Sequence, residues 1–156
     1  MKYKHEINYE RYEKFEGLST IDRQLVSEAK RAMNQAYAPY SKFKVGSAIL
    51  LSDGSIVKGN NQENIAYPSG LCAERVALFY AGSNYPDAEV VSIVIVAEGT
   101  FLQHQEMVSP CGACRQVMLE TERRQTNTLR IILVSHNGQV FVFHSAKDLL
   151  PFAFGS

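Results

Sequence analysis

With 156 residues, 46% of them apolar, and sixteen bases balancing sixteen acids, the chain has the size of one domain with a full core. Zero net charge counts against a nucleic-acid binder working by bulk electrostatics, which needs a basic surplus or patch. No apolar run is long enough to span a bilayer, and the opening stretch MKYKHEINYERYEKFEG lacks the apolar core of a signal peptide, so a cytoplasmic protein with reduced thiols is expected.

Residues 1–18, dense in charge and tyrosine, read as a strand-like extension, and residues 19–156 as one domain. Ile21, Leu25, Ala29, Ala32, Met33 and Ala36 recur on one face and predict a helix over residues 20–36. Pro39 stops it, because proline disfavours helix in the residue before it. Two β-rich runs over residues 43–60 flank Asp53-Gly54, a hairpin signal. A helix is expected to start near Cys72 and carry AERVALFYA. Residues 90–97 are almost wholly apolar and β-branched, the pattern of a central strand covered on both faces. Another helix is expected from Pro110 and Cys111 through Leu119, since proline suits the first turn. The basic pair Arg123–Arg124 is flanked by acids and reads as a solvated helix face. Residues 129–134 and 139–143 read as strands joined across Asn137-Gly138, a turn short enough to require antiparallel pairing. Ser145 then caps a short helix ending before Pro151. Together these elements predict a three-layer α/β/α domain with a five-stranded mixed sheet whose last two strands are antiparallel.

The chemistry centres on SPCGACRQVMLE, where Cys111 and Cys114 form a Cys-x-x-Cys pair. A redox dithiol is one reading, but the chain has no tryptophan, the preceding elements come in the wrong order, and Cys72 is left unexplained. A structural zinc site needs four protein ligands; only three cysteines exist, and His5, His104, His136 and His144 show no ligand spacing. Three protein ligands with one open position make a catalytic zinc site, and Cys72, Cys111 and Cys114 supply that number. Glu74, two residues after Cys72 at a predicted helix start, can face the same pocket as a base. Alone it would pass for a surface acid placed favourably for the helix dipole. Beside three cysteines it does not. Three thiolates leave a divalent zinc at net minus one. Helix starts offset that charge, and Arg75 and Arg115, directly after Glu74 and Cys114, are expected to hydrogen-bond the sulfurs.

The segments AYAPYSKFKVG (residues 36–46), GNNQENIAYPSGLCAERVALF (59–79), VSPCGACRQVM (108–118) and LLPFAF near the carboxyl end occur in the order found in the small cytidine deaminases, which the chain resembles from about Thr20 onward. The resemblance implies a cytidine deaminase-like fold, hydrolysis of cytidine and deoxycytidine to the uracil nucleosides with release of ammonia, and a role in pyrimidine salvage. It implies one zinc per subunit held by Cys72, Cys111 and Cys114, with Glu74 as proton shuttle. Asn61 and Glu63 match residues that bind the ribose hydroxyls, and Phe43 matches an aromatic against the nucleoside. The Ala73 backbone would bond the base. It further implies a homotetramer in which Phe154 enters a neighbour's site. Residues 1–18 and a longer loop at residues 98–107 depart from the family pattern. A related blasticidin-type deaminase is the nearest competing reading, and Asn61 and Glu63 favour a nucleoside instead. A polynucleotide-editing enzyme is opposed by the neutral charge and the antiparallel final hairpin. A catalytically idle zinc-binding module would require a broken motif, and every chemical position is intact.

Overall fold

The computed structural model describes residues 1–99 and 107–155. Its six strands are β1 (Glu10–Tyr12), β2 (Lys44–Leu51), β3 (Ile56–Asn60), β4 (Val90–Glu98), β5 (Arg130–Val134) and β6 (Val140–Phe143). Three α-helices, α1 (Thr20–Asn34), α2 (Ala73–Asn84) and α3 (Gly112–Arg123), cover them. The sheet order is β1-β6-β5-β4-β2-β3, and only β4 and β5 run parallel. A parallel pair needs a crossover, and α3 supplies it.

Alternation along the strands sorts the core into two faces. Ala48, Val94, Val96, Ile132, Val134, Val140 and Val142 pack against Leu25, Val26 and Ala29 of α1. Ile49, Ile93, Ile95, Ile131, Leu133, Phe141 and Phe143 pack against α2 and α3 through Ala77, Leu78, Ala81, Met118 and Leu119. The three layers are therefore as expected. On α1 the buried face is carried by Leu25, Val26, Ala29 and Ala32, while Ile21 in the first turn is 41% exposed. Both hairpins form, with Gly54 and Gly138 at φ 86° and 89°, which glycine adopts without steric cost. Ser145 caps a 3-10 turn at Ala146–Asp148, its hydroxyl accepting from the Lys147 N–H.

The expected five-stranded sheet is corrected to six. Glu10, Arg11 and Tyr12 pair antiparallel with Val142, Phe141 and Val140. An edge strand presents a row of unpaired N–H and C=O groups, and the extension satisfies those of β6. Tyr9 lays its ring against Phe141 and Phe143, at centroid distances of 5.9 Å and 5.5 Å. Glu10 pairs with His144 at 2.8 Å. Tyr12, Phe15 and Leu18 reach the α1 face of the core. A three-residue strand reading Glu-Arg-Tyr carries no apolar alternation, so its pattern gave only a strand-like extension. Of the loop expected to be long, residues 100–106 lie outside the described residues. No helix among the described residues is long and apolar enough to cross a membrane.

Candidate active site

Two helix starts build the site. Cys72 is the N-cap of α2 and Cys111 the N-cap of α3, and neither side chain is spent on a capping bond. Cys114 lies in the first turn of α3 and is fully buried, Cys72 is half-buried and Cys111 exposed. Backbone N–H groups at a helix start favour negative charge, and the three cysteines gather at two such starts.

The three sulfurs converge. Cys72 Sγ lies 3.9 Å from Cys111 Sγ, Cys111 Sγ lies 3.5 Å from Cys114 Sγ, and all three fall within 4.8 Å of one another. Tetrahedral zinc with Zn–S bonds of about 2.3 Å separates its sulfurs by about 3.8 Å, a value that the two shorter separations bracket. Three soft donors at this spacing fit zinc and leave one position open.

The cluster divides its protons unevenly. The Cys114 thiol, followed by the Arg75 guanidinium, holds Cys72 down to about 5 against the rise that burial would cause. Cys114 is pushed far above the usual thiol range by its bond to Cys72 and by burial. Arg75 donates from its terminal nitrogen to Cys72 Sγ at 3.5 Å, as expected. Arg115 does not take the same role. Its donors go to the Pro110 carbonyl (2.8 Å), the Leu149 carbonyl (3.0 Å) and the Ser109 hydroxyl (2.9 Å), so it ties the Pro-Cys loop to the carboxyl-terminal tail. Arg75 stands three residues after Cys72, one helical turn on, whereas Arg115 directly follows Cys114 and points away to the facing carbonyls.

Glu74 sits in the first turn of α2, only 5% exposed. Burial pushes its carboxyl up to about 7, against the hydrogen bond from its own backbone N–H, and the Cys72 charge adds to the rise. The helix comes this close to β3 because residue 59 is glycine. A Cβ there would stand 2.4 Å from the Ala73 carbonyl oxygen and 2.7 Å from the Ala77 nitrogen. Ala73, wholly buried, opens the helix.

From this end of β3 the chain runs through NQEN to the cysteines. Gln62 exchanges backbone bonds of 2.9 Å with Leu71, which fixes Cys72 beside Asn61 and Glu63. Asn61 accepts from the Val45 N–H and donates to the Phe43 carbonyl, both at 2.8 Å. A cavity of about 710 Å³ opens here, lined by Phe43, Asn61, Glu63, Leu71, Cys72 and Arg75 among others. Such a volume suits a small organic ligand. Tyr40, Ser41, Ile65, Tyr67 and Pro68 also line it, and none of them carries a chemical signal in the sequence alone. Ser41 stands inside the segment AYAPYSKFKVG (residues 36–46), which carries the resemblance without giving the serine a role.

Phe154 is not among the lining residues of its own chain. The residue is 88% exposed and Phe152 91%, while the Phe154 carbonyl accepts from Gln116 and Arg123 of α3.

Comparison with known proteins places these residues in company. The family model for the cytidine and deoxycytidylate deaminase zinc-binding region matches residues 19–129. The cytidine deaminase of Halalkalibacterium halodurans is 43% identical over 135 residues, spanning 86% of this chain and 95% of that protein. The cytidine deaminase of Mycobacterium tuberculosis is 36% identical over 137 residues, 84% of this chain and 87% of that one. The crystal structure of cytidine deaminase from Burkholderia pseudomallei superposes with a TM-score of 0.74 at 44% identity, covering 85% of this chain and 98% of that chain.

Proposed function

The chain belongs to the cytidine and deoxycytidylate deaminase family and is a hydrolase of that family, and from this premise we propose that it deaminates cytidine and deoxycytidine to uridine and deoxyuridine in pyrimidine salvage, using one zinc per subunit. The observation that carries the reading is the set of three converging sulfurs, with buried Glu74 two residues from one of them, at the end of a cavity lined by Asn61 and Glu63. Cys72, Cys111 and Cys114 would hold the zinc. When bound, zinc acts as a Lewis acid that brings the pKa of a water close to neutrality. Glu74 takes the proton of the attacking water and passes it to the ring nitrogen, which makes the adjacent carbon electrophilic. It then carries a proton to the departing amine, so that water and the nucleoside become ammonia and the uracil product. Asn61 and Glu63 bind the sugar, Phe43 packs against the nucleoside, and the first backbone N–H groups of α2 at Ala73, unpaired within a helix start, bond the base. Arg75 draws charge from the Cys72 sulfur.

The family model spans nucleoside and nucleotide deaminases, and the pocket favours the nucleoside. Arg75 is the one cation among its described lining residues, and it is engaged with a sulfur, whereas Glu63 brings a negative charge that would repel a phosphate. The purified chain should therefore convert cytidine to uridine with one ammonia per turnover, followed by ultraviolet absorbance. Chelation should abolish turnover and added zinc restore it. The 5′-monophosphate should be a poor substrate because the Glu63 charge opposes its phosphate, and free cytosine should be poor because it offers none of the sugar hydroxyls that the site bonds. Efficient deamination of cytosine would undo the sugar-binding assignment.

We further propose a cytoplasmic homotetramer whose sites are shared between chains. The exposed Phe154 ring, on a backbone held by α3, supports this reading. Packed on a neighbour's bound base it would contribute about 1–3 kcal/mol. Phe154→Ala should then lower catalytic efficiency by about ten- to a hundredfold and leave zinc in place. Glu74→Ala chains still offer Phe154, and Phe154→Ala chains still offer Glu74. Co-refolded, the two should regain activity above either parent, whereas verified mixed tetramers without a gain would mean that each site is built from one chain.

A further inference from the structure

The Glu63 carboxylate does not stand free in the cavity. Three donors from two consecutive residues of the turn between α1 and β2 hold it. Glu63 Oε2 accepts from the Tyr40 N–H at 2.9 Å and the Ser41 N–H at 3.3 Å, and Oε1 accepts from the Ser41 hydroxyl. The same hydroxyl oxygen accepts the Phe43 N–H at 3.0 Å. One side chain thus links the carboxylate assigned to the sugar with the backbone of the aromatic assigned to the nucleoside. The turn is held in an uncommon shape to do so. Lys42 adopts φ 57°, a left-handed conformation that non-glycine residues visit seldom, and its N–H bonds the Ala38 carbonyl at 3.2 Å.

A glutamate left free on a pocket wall samples several rotamers, and ordering it on binding weakens affinity. Here three hydrogen bonds from the turn hold the carboxylate without a ligand. A carboxylate has about four acceptor positions. Three are taken by the turn, which leaves one, on the Oε1 side, for a ligand hydroxyl.

We propose that Ser41 is a positioning residue for sugar recognition: its hydroxyl fixes the Glu63 carboxylate so that a single acceptor position faces one nucleoside hydroxyl. The inference rests on the assignment of Glu63 to the sugar. Ser41 bonds Glu63 and Phe43 and neither Glu74 nor a cysteine, so its loss is expected to act on binding and leave the proton transfers of Glu74 alone.

The test uses the full-length chain with its metal. Ser41→Ala should raise KM for cytidine by about tenfold, the scale of one hydrogen bond to a charged group, with kcat within about twofold and zinc content and Tm unchanged. Ser41→Thr, which keeps the hydroxyl, should restore most of the affinity. In a Glu63→Ala background the same Ser41→Ala change should move KM by less than about twofold, because nothing is left to position. If Glu63→Ala raises KM and Ser41→Ala does not, the positioning role is wrong and the sugar-binding role of Glu63 stands. If Glu63→Ala itself leaves KM unchanged, the reading beneath the inference has failed. A Ser41→Ala chain with lower Tm and kcat, normal KM and no rescue by threonine would make the serine a fold element only. Should Ser41→Ala yield no soluble protein, Ser41→Cys, which keeps the bulk with a weaker donor, carries the same expectation in KM.

Discussion

Glu74→Gln is expected to keep zinc, fold and nucleoside binding while reducing turnover of cytidine by about 10²–10⁴-fold, the range for loss of a positioned acid–base group. The upper end is expected because, in the proposed mechanism, one carboxylate serves three proton positions, at the water, the ring nitrogen and the departing amine. Glutamine matches the volume of a side chain only 5% exposed at the start of α2, so the change opens no cavity beside the cysteines. An amide can hydrogen-bond the water but cannot accept its proton. Steady-state rates, metal content by elemental analysis and a thermal melt would together decide it. Near-normal turnover with zinc in place would remove Glu74 from the chemistry and leave the proposed mechanism without a base.

The second large effect belongs to the three cysteines proposed as metal ligands. Cys72→Ala, Cys111→Ala and Cys114→Ala should each take the metal content from about one per chain to a small fraction and abolish activity, because two thiolates and an open edge no longer make a tetrahedral site. The three differ in their cost to the fold. Cys111 is exposed, so its variant should melt near the chelated parent. Cys114 lies in the core beside Met118 and Leu119, and its variant should lose roughly a further 1 kcal/mol from removed packing. Full zinc in any one variant would strike that residue from the ligand set. A chain that loses zinc yet keeps turnover would overturn the metal-dependent reading altogether.

The two arginines show how far sequence spacing reaches. Both directly follow a residue of the chemistry, and both were expected to serve the sulfurs. Arg75 does so, one turn after Cys72. Arg115 instead finds the Leu149 carbonyl, thirty-four residues away, along with Pro110 and Ser109. No local pattern records a carbonyl brought in from the far end of the chain. The outcome still bears on the site, because Arg115 joins the loop carrying Cys111 to the tail carrying Phe154.

What the sequence determined alone were features with causes inside a few residues. Asp53-Gly54 and Asn137-Gly138 set two hairpins through the conformational freedom of glycine. Apolar periodicity set α1, and an unbroken β-branched run set β4 at the centre of the sheet. Cys72, Cys111 and Glu74 fell at helix starts because Cys72 and Pro110–Cys111 stand where the helical patterns begin. Motif order supplied the family, which the comparisons bear out. What only the tertiary structure decided were pairings between distant segments. β1 docks on β6 because an open sheet edge attracts any chain that can satisfy it, and three polar residues do so without an apolar signature. Ser41 meets Glu63 across twenty-two residues because the α1–β2 turn folds over the end of β3. A hydrogen bond leaves no periodicity in either partner's sequence, so its existence is settled only when packing has placed both groups within reach of each other.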